Sequence, residues 1–329
     1  MSLFRILHIG RVIYKEIKNQ KEFNKNFLVP YLNALEIRHQ GKFSKEQKEK
    51  IVNYYGMFIT SFLCSSYKRL HGKTLSAAER KRATLFGILT PVGDDLFDID
   101  KLDNESIRAI TFDPDHYEAT TFSSKVAKEI QSFQLKNVPH LIQYIAAAQA
   151  VLDIQIETEK QIHAILSKEE LERITFSKGA ASVIIYYQIL EDLADDKMFK
   201  ALDLIGSLFQ LGNDVFDLYK DVRDDIHTLV NTCPDFIHFK NEFTERVALQ
   251  NKAIMNLSYP ADAKKDFCLV VNIINARSLV AIDQLIDKQK QWGKQIQWNQ
   301  LDRKEMICDM EKPINLLKWL YYIWKIPNY

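Results

Sequence analysis

The sequence predicts an all-α protein. Its 329 residues include only ten glycines and eight prolines, so few positions suit the tight turns that separate β-strands. Over long stretches, apolar residues recur three and four positions apart, which is the period of a helix with one buried face. With 47% hydrophobic residues, the chain can bury a large core, and we expect one antiparallel helical bundle over residues 1–329.

Three stretches are predicted to form helices much longer than the usual dozen or so residues. They cover residues 45–70, 138–166 and 198–230. Helices of this length bury enough apolar surface only when they pack side by side, which favours a bundle.

Clusters of Gly, Pro, Asn, Asp and Ser mark the expected helix ends. The expected ends are HGKTLS (71–76), TPVGDD (90–95), FDPDHY (112–117), KNVP (136–139), TFSKGA (175–180), TCPD (232–235), SYPAD (258–262) and EKP (311–313). None of these is long enough for a domain linker, and no repeat of fixed period occurs, so the sequence favours a single domain.

Charge and cysteine usage narrow the functional class. The 44 Lys and Arg residues nearly balance the 43 Asp and Glu residues, so no global field would attract nucleic acid or an anionic membrane, and any strong electrostatics must be local. The cysteines have no zinc-like spacing, which predicts buried or free thiols in a reducing cytoplasm. They are Cys64, Cys233, Cys268 and Cys308.

Both ends of the chain are expected to be helical. The first twenty residues lack the pattern of a secretory signal and are typical of an amphipathic helix. The apolar run LLKWLYYIWKI (316–326) is too short to span a bilayer and contains lysines. We expect no integral membrane segment, and for this run we favour a core-packing helix over a membrane-surface anchor.

Two acidic motifs dominate the functional reading of the sequence. The first, DDLFD, places Asp94 and Asp98 on one helical face with Asp95 beside them. Carboxylates at this spacing repel each other, so such a row costs helix stability unless a cation neutralises it.

The second motif, NDVFDLYKD, begins at residue 213. Asn213, Asp217 and Asp221 form a stripe at intervals of four residues, and Asp214 lies next to it. Oxygen ligands of this kind suit Mg²⁺, which usually takes a few carboxylates together with water and substrate phosphate oxygens. Two such rows facing each other across a cavity would hold Mg²⁺ around a diphosphate.

Acidic helix faces are usually just solvated, and this alternative was weighed against a metal site. Here the motifs follow the apolar stretches FGILTPV (86–92) and LIGSLFQLG (204–212), so the carboxylates emerge from helices of core-like composition. An EF-hand is excluded because no loop has the required glycine and acid positions. The pair of motifs therefore favours a metal–diphosphate site.

The pair resembles the class I isoprenoid synthases: terpene cyclases, trans-prenyl diphosphate synthases and squalene or phytoene synthases. DDLFD is similar to their first aspartate-rich motif. NDVFDLYKD is similar to the second metal motif of terpene cyclases, and FQLGNDVFD to the second aspartate motif of prenyl synthases. The resemblance implies an all-α bundle with a central cavity and about three Mg²⁺ ions bound with the diphosphate.

The sequence also departs from each of these groups. Asp217 replaces the Ser or Thr of the cyclase motif, and Asn213 replaces the first Asp of the prenyl synthase motif. The Arg-Arg-Gly that follows the first motif in prenyl synthases is missing, which weakens a chain-elongation reading.

The resemblance also implies basic residues that bind the departing diphosphate. Lys178, in TFSKGA, is the favoured diphosphate sensor, with Lys168 and Arg173 as alternatives. Lys220 and Arg223 are expected to donate further hydrogen bonds to the diphosphate. Lysine would do so as a compact positive charge, and arginine through two parallel N–H groups of its planar guanidinium.

The function implied is ionisation of an allylic prenyl diphosphate, followed by cyclisation or rearrangement of the carbocation, in a Mg²⁺-dependent terpene synthase-like enzyme of the cytoplasm. Two alternatives stay open: a prenyltransferase that elongates a chain or joins two chains head to head, and a catalytically silent lipid-binding protein. The expected partner is a prenyl diphosphate; no nucleic acid is expected, and a homodimer is left open.

Overall fold

The structure is a computed structural model that describes residues 3–162, 166–293 and 296–326. The prediction of an all-α protein is confirmed, because no β-strand occurs within these ranges. The helices are α1 (Leu3–Phe23), α2 (Val29–Arg38), α3 (Lys45–Glu49), α4 (Ser65–Leu70), α5 (Ala77–Asp98), α6 (Asn104–Phe112), α7 (Phe122–Asn137), α8 (Leu141–Thr158), α9 (Lys168–Gln188), α10 (Asp196–Arg223), α11 (Phe236–Met255), α12 (Ala261–Trp292), α13 (Arg303–Met306) and α14 (Pro313–Lys325).

Two wider, π-helical segments interrupt the α-helical backbone. They cover Asn24–Leu28, between α1 and α2, and Lys50–Cys64, between α3 and α4. Residues 45–70 are therefore helical throughout, as predicted. Within the expected helix 138–166, α8 covers Leu141–Thr158 and a 3₁₀ turn, Glu159–Gln161, follows it, while residues 163–165 lie outside the described ranges.

Capping side chains explain why many helices begin where they do. Ser44 and Ser76 each accept a hydrogen bond from the backbone N–H three residues later, and the side chain of that later residue bonds back to them. Asp103, Asp195 and Asp235 likewise accept bonds from the first turns of α6, α10 and α11.

Two of the expected breaks are wrong, because they lie inside helices. TPVGDD falls within α5, which runs on through the buried Pro91 to Asp98. TFSKGA falls within α9. The helix expected over 198–230 instead ends at Arg223, where Asp225 adopts a left-handed conformation with φ of 53°, which Asp tolerates better than most residues.

The chain divides into two compact units. Unit N comprises residues 7–152 and 185–193, and unit C comprises residues 1–6, 153–184 and 194–329. One domain over residues 1–329 stays a prediction, since compact units of this kind can belong to a single domain.

In unit N, α5 packs against the segment Lys50–Cys64 and against α7. A charged network is buried beside α5. The ammonium of Lys68, 2% exposed, lies 2.8 Å from the carboxylate of Glu79, which is fully buried, and also binds Asp192. Glu79 accepts further bonds from the backbone N–H groups of Ser76 and Glu191 at 2.9 and 3.0 Å.

In unit C, α12 packs against α10, α11 and α14. It is long and apolar enough to cross a membrane by length and composition alone, but 67% of its most apolar window is buried inside the protein.

The prediction that the cysteines are buried or free thiols is confirmed: all four cysteines are free, and Cys64 and Cys268 are buried.

We predict that Lys68→Met lowers the free energy of unfolding by about 3–5 kcal/mol, because Glu79 would keep its buried negative charge without its cation. Urea denaturation followed by circular dichroism measures the change.

The matched control is Lys73→Met. Lys73 also pairs with Asp192, at 2.6 Å, but its side chain is mostly exposed, so its loss should cost no more than about 1 kcal/mol. Equal effects of the two substitutions would contradict the buried-network interpretation.

Candidate functional site

The second acidic motif occupies the last three turns of α10. Asn213 is exposed and Asp217 is partly exposed, whereas Asp214 and Asp221 are only 6% and 8% exposed. The motif therefore places two carboxylates in the interior of unit C. A solvated acidic face, the alternative weighed from the sequence, does not describe these two residues.

The burial of these two carboxylates disfavours their charged forms. Burial raises the pKa of Asp214 to about 6, with a further rise from the charge of Asp217, against the opposing effects of a hydrogen bond from Gln210 and the charge of Lys178. Burial together with the charges of Asp214 and Asp217 raises the pKa of Asp221 to about 8, although Lys220 and Lys178 oppose the rise.

Hydrogen bonds reach some of these carboxylates but not all. Gln210 donates to Asp214 at 2.8 Å, and the Asn213 side chain donates to Asp217 at 3.1 Å. No donor from the described part of the chain bonds to the side chain of Asp221. This carboxylate, 8% exposed, keeps some contact with solvent but accepts no hydrogen bond from the described residues, which is costly in a stable fold.

Lys178 lies beside this cluster, although not for the expected reason. The helix break proposed around it is absent, because α9 continues through Gly179. Instead, α9 and α10 approach to backbone contact: a Cβ on Gly179 would lie 2.0 Å from the carbonyl oxygen of Gly206, and a Cβ on Gly206 would lie 2.2 Å from that of Gly179. Only glycine permits this approach.

The close approach explains why the charge of Lys178 acts on α10. Its ammonium lowers the pKa of both Asp214 and Asp221 against the larger effect of burial. The two alternatives to Lys178 have other partners: Lys168 binds Glu242 at 2.6 Å, and Arg173 binds Glu157 at 2.5 Å.

The remaining two predicted basic residues differ in their partners. The charge of Lys220 lowers the pKa of Asp221 against burial. The exposed guanidinium of Arg223 forms two bonds to Asp224, at 2.7 and 2.9 Å. Arg223 is therefore already paired with Asp224, and its guanidinium donates to that carboxylate instead of to the motif carboxylates.

The first acidic motif forms the last turn of α5. Asp94 and Asp98 are exposed, and Asp95 is partly buried. Asp95 accepts hydrogen bonds from Gln47 and, at 3.4 Å, from Ser123. Burial raises its pKa, and the charges of Asp100 and Asp98 raise it further, although Gln47 and Ser123 lower it.

The position of this motif is electrostatically unfavourable by itself. The C-terminal end of a helix carries partial negative charge, so acidic residues there destabilise it and basic ones stabilise it. The last turn of α5 contains no basic residue. Asp94 and Asp95 nevertheless both have partners in the protein, which offset part of this cost.

The two motifs lie in different units, Asp94 to Asp98 in unit N and Asn213 to Asp221 in unit C. That they face each other across a central cavity therefore stays a prediction.

Within the described ranges, no three His, Cys, Asp or Glu side chains are close enough together to form a metal site as they stand. The oxygen-only donor set and the raised carboxyl pKa values nevertheless fit a hard cation such as Mg²⁺.

A half-open cavity of about 340 Å³ lies in unit C, a size found among small-molecule sites. Its apolar wall includes Phe176, two residues before Lys178, and Leu211, one turn before Asp214. Leu171, Phe239 and Phe243 line it as well. Charged and polar side chains, among them Lys168, Glu172 and Arg246, complete the lining, and none of the motif residues is part of it.

Three aromatic residues of unit N belong to its core. Phe86, Tyr186 and Tyr187 are all buried, and the rings of Phe86 and Tyr186 meet edge to face with centroids 5.0 Å apart.

Sequence reasoning missed three polar residues that contact the motifs. Gln210 lies four residues before Asp214, a helical spacing that could have revealed it. Gln47 and Ser123 are 48 and 28 residues from Asp95, and no local pattern connects them to it.

Comparisons with known proteins do not assign the chain to a family. No protein-family profile matches it, and no curated protein sequence matches it significantly.

We predict that Gly206→Ala lowers the free energy of unfolding by about 1–3 kcal/mol, because the new methyl group would meet the backbone of Gly179 and force α9 and α10 apart. Thermal unfolding followed by circular dichroism measures the effect.

Gly10→Ala is the matched control. Gly10 is in the interior of α1 with no atom within 4 Å of the added methyl group, so alanine should leave stability unchanged or raise it by up to about 1 kcal/mol. A Gly206→Ala protein as stable as the wild type would refute the close helix contact.

Proposed function

We propose that the protein is a Mg²⁺-dependent class I terpene synthase-like enzyme that ionises an allylic prenyl diphosphate. The observation that carries the proposal is the cluster of Asp214, Asp217 and Asp221 on α10, two of them buried, with Lys178 beside it. Carboxyl groups whose pKa values are raised by burial and by each other are more frequent at functional sites than in purely structural ones, which favours a functional role.

The carboxylates supply the oxygen donors that a hard cation requires. Asp217 and Asp221, with the amide oxygen of Asn213, would hold a cation at the second motif, and Asp94, Asp95 and Asp98 would do so at the first. Magnesium, when bound, would neutralise negative charge on the diphosphate oxygens and make the diphosphate a better leaving group.

The basic residues would act on the diphosphate itself. When the allylic C–O bond breaks, its electron pair leaves with the diphosphate, and charge accumulates on that group. Lys178 lies close enough to Asp214 and Asp221 to affect both pKa values, so its ammonium is positioned to attract an anion bound at the same cluster. Lys220 would add a second positive charge.

The hydrocarbon part of the substrate needs an apolar space close to the diphosphate. The cavity lined by Phe176, Leu211 and Phe243 supports this in part, because these residues lie on α9, α10 and α11 and two of those helices also carry Lys178 and Asp214, although neither of these two residues lines it. The rings of Phe239 and Phe243 there would stabilise a carbocation by about 0.5–2 kcal/mol each and keep water from it, whereas the ring of Phe176 is already covered by the guanidinium of Arg246, 3.7 Å from its centroid.

Incubation with geranyl, farnesyl and geranylgeranyl diphosphates tests the proposal. In the presence of Mg²⁺ we expect release of inorganic diphosphate together with a hydrocarbon or an alcohol, and no release when the metal is chelated. Isopentenyl diphosphate should not change the products. A longer prenyl diphosphate, or a head-to-head product, would identify a prenyltransferase instead, and no turnover with any of the three would point to a silent lipid-binding protein.

We predict that Asp221→Asn and Asp94→Asn each lower the rate of diphosphate release by at least about a hundredfold, because each removes one charged ligand. Circular dichroism should show wild-type helix content in both variants. The control is Asp196→Asn, an exposed aspartate in the first turn of the same helix α10, which should keep full activity. Full turnover in both motif variants would rule out the metal assignment.

A further inference from the structure

The C-terminal helix α14 has an unusual distribution of polar and apolar side chains. Its inward side contains residues with polar groups: Asn315 donates to the carbonyl oxygen of Asp309 at 2.6 Å, and Trp319 donates to that of Ile273 at 2.8 Å. The Tyr322 hydroxyl donates to Asp283 at 2.7 Å. These bonds fix the rotation of α14 on unit C.

The outward side of the same helix is apolar. Six large side chains are each between 43% and 62% exposed. They are Ile314, Leu316, Leu317, Leu320, Tyr321 and Trp324. Leu317, Leu320, Tyr321 and Trp324 have the i, i+3, i+4, i+7 spacing that forms one continuous helical face. The expectation of a core-packing helix is therefore wrong for this side of α14, because only Asn315 and Ile323 of the helix are buried.

The charges on α14 itself are positive. Residues 312–326 include Lys312, Lys318 and Lys325 and no acidic residue, and the nearest acidic residue in the chain is the exposed Glu311 directly before them. Two acidic side chains of α12 already have lysine partners: Asp283 pairs with Lys240 at 2.6 Å, and Asp287 pairs with Lys290 at 2.7 Å and is also within reach of the charge of Lys318. Within α14 the apolar face is therefore bordered by lysines alone.

We propose that α14 docks the protein on an anionic lipid surface, with its apolar face in the headgroup region and its lysines against the lipid phosphates. An interfacial helix of this type combines leucine and tryptophan on one face with lysine at the border, and both Tyr and Trp favour the membrane–water interface. Long lysine side chains can extend from such a helix to reach headgroups.

A second copy of the chain fits the face less well. If two copies paired symmetrically through it, each residue of the face would meet the same surface of its partner. The lysines of both copies would then border one contact with no acidic residue of α14 to offset them, so like charges would oppose the pairing. An anionic membrane supplies the opposite charge.

Co-sedimentation with lipid vesicles tests this proposal on the full-length protein. We expect binding to vesicles of phosphatidylcholine mixed with phosphatidylglycerol, little binding to phosphatidylcholine alone, and weaker binding as salt is raised. No binding to the anionic vesicles, or equal binding to both kinds, would overturn the proposal.

Substitutions locate the binding surface. Leu317→Glu combined with Leu320→Glu, and separately Lys312→Glu combined with Lys325→Glu, should each lower the partition coefficient by about tenfold or more. The control is Ile237→Glu combined with Leu249→Glu on α11, whose side chains are similarly exposed, at 57% and 55%, and which should bind like the wild type. Circular dichroism confirms that each variant is folded.

Two further results would reject the membrane interpretation. One is a folded Leu317→Glu, Leu320→Glu variant that binds like the wild type. The other is a dimer, measured by light scattering, that this variant converts to a monomer, because a second copy would then cover the face. Binding is measured without a prenyl substrate, so the outcome does not depend on the proposed enzyme activity.

Discussion

The backbone contact between Gly179 and Gly206 is the constraint on which the candidate site depends. Because neither residue has a side chain, α9 and α10 approach more closely than any other residue pair would allow. The approach places Lys178 where its charge acts on Asp214 and Asp221. Among the described residues, Lys178 is the only basic residue whose charge acts on both buried carboxylates. The packing of two helices, not a loop, therefore sets its position.

Buried carboxylates in the protein fall into two kinds with opposite electrostatics. Glu79 has Lys68 and two backbone N–H groups as partners, and although burial raises its pKa, these bonds bring it below the usual value. Asp221 lacks such partners, and burial together with its acidic neighbours raises its pKa to about 8. In the first arrangement the buried charge has its partners within the protein, whereas in the second the charged form of the carboxyl group is disfavoured and would be stabilised by a cation such as the proposed Mg²⁺.

The sequence predicted the helical class and placed both acidic motifs on helices, because scarce Gly and Pro and the apolar period are local properties. It misplaced two breaks for one physical reason: tertiary packing overrode local preference. Pro91 is buried inside α5, and Gly179 packs against another helix instead of ending its own. The end of α10 was missed because Asp225, not Gly, takes the left-handed conformation there.

The sequence could not show whether the two motifs lie opposite each other, because their relative position depends on contacts between distant segments. The partners that were missed show the same limit: Gln47 and Ser123 reach Asp95 from other elements, whereas Gln210, on the same helix as Asp214, follows from helical spacing. Lys68 and Asp192, 124 residues apart, form a pair that no local pattern indicates.

Helix α14 shows how little composition says about which side of a helix is buried. Its residues are apolar nearly all round, so both a core helix and a surface helix were compatible with the sequence. Hydrogen bonds from Asn315, Trp319 and Tyr322 decide the rotation, and two of their acceptors lie 46 and 39 residues away. Unit C therefore departs twice from the usual rule of apolar inside and charged outside: carboxylates are buried on α10, and leucines are exposed on α14. Each departure costs free energy in the isolated chain, and each cost would fall on binding of the ligand proposed for it, a cation at the first and an anionic lipid surface at the second.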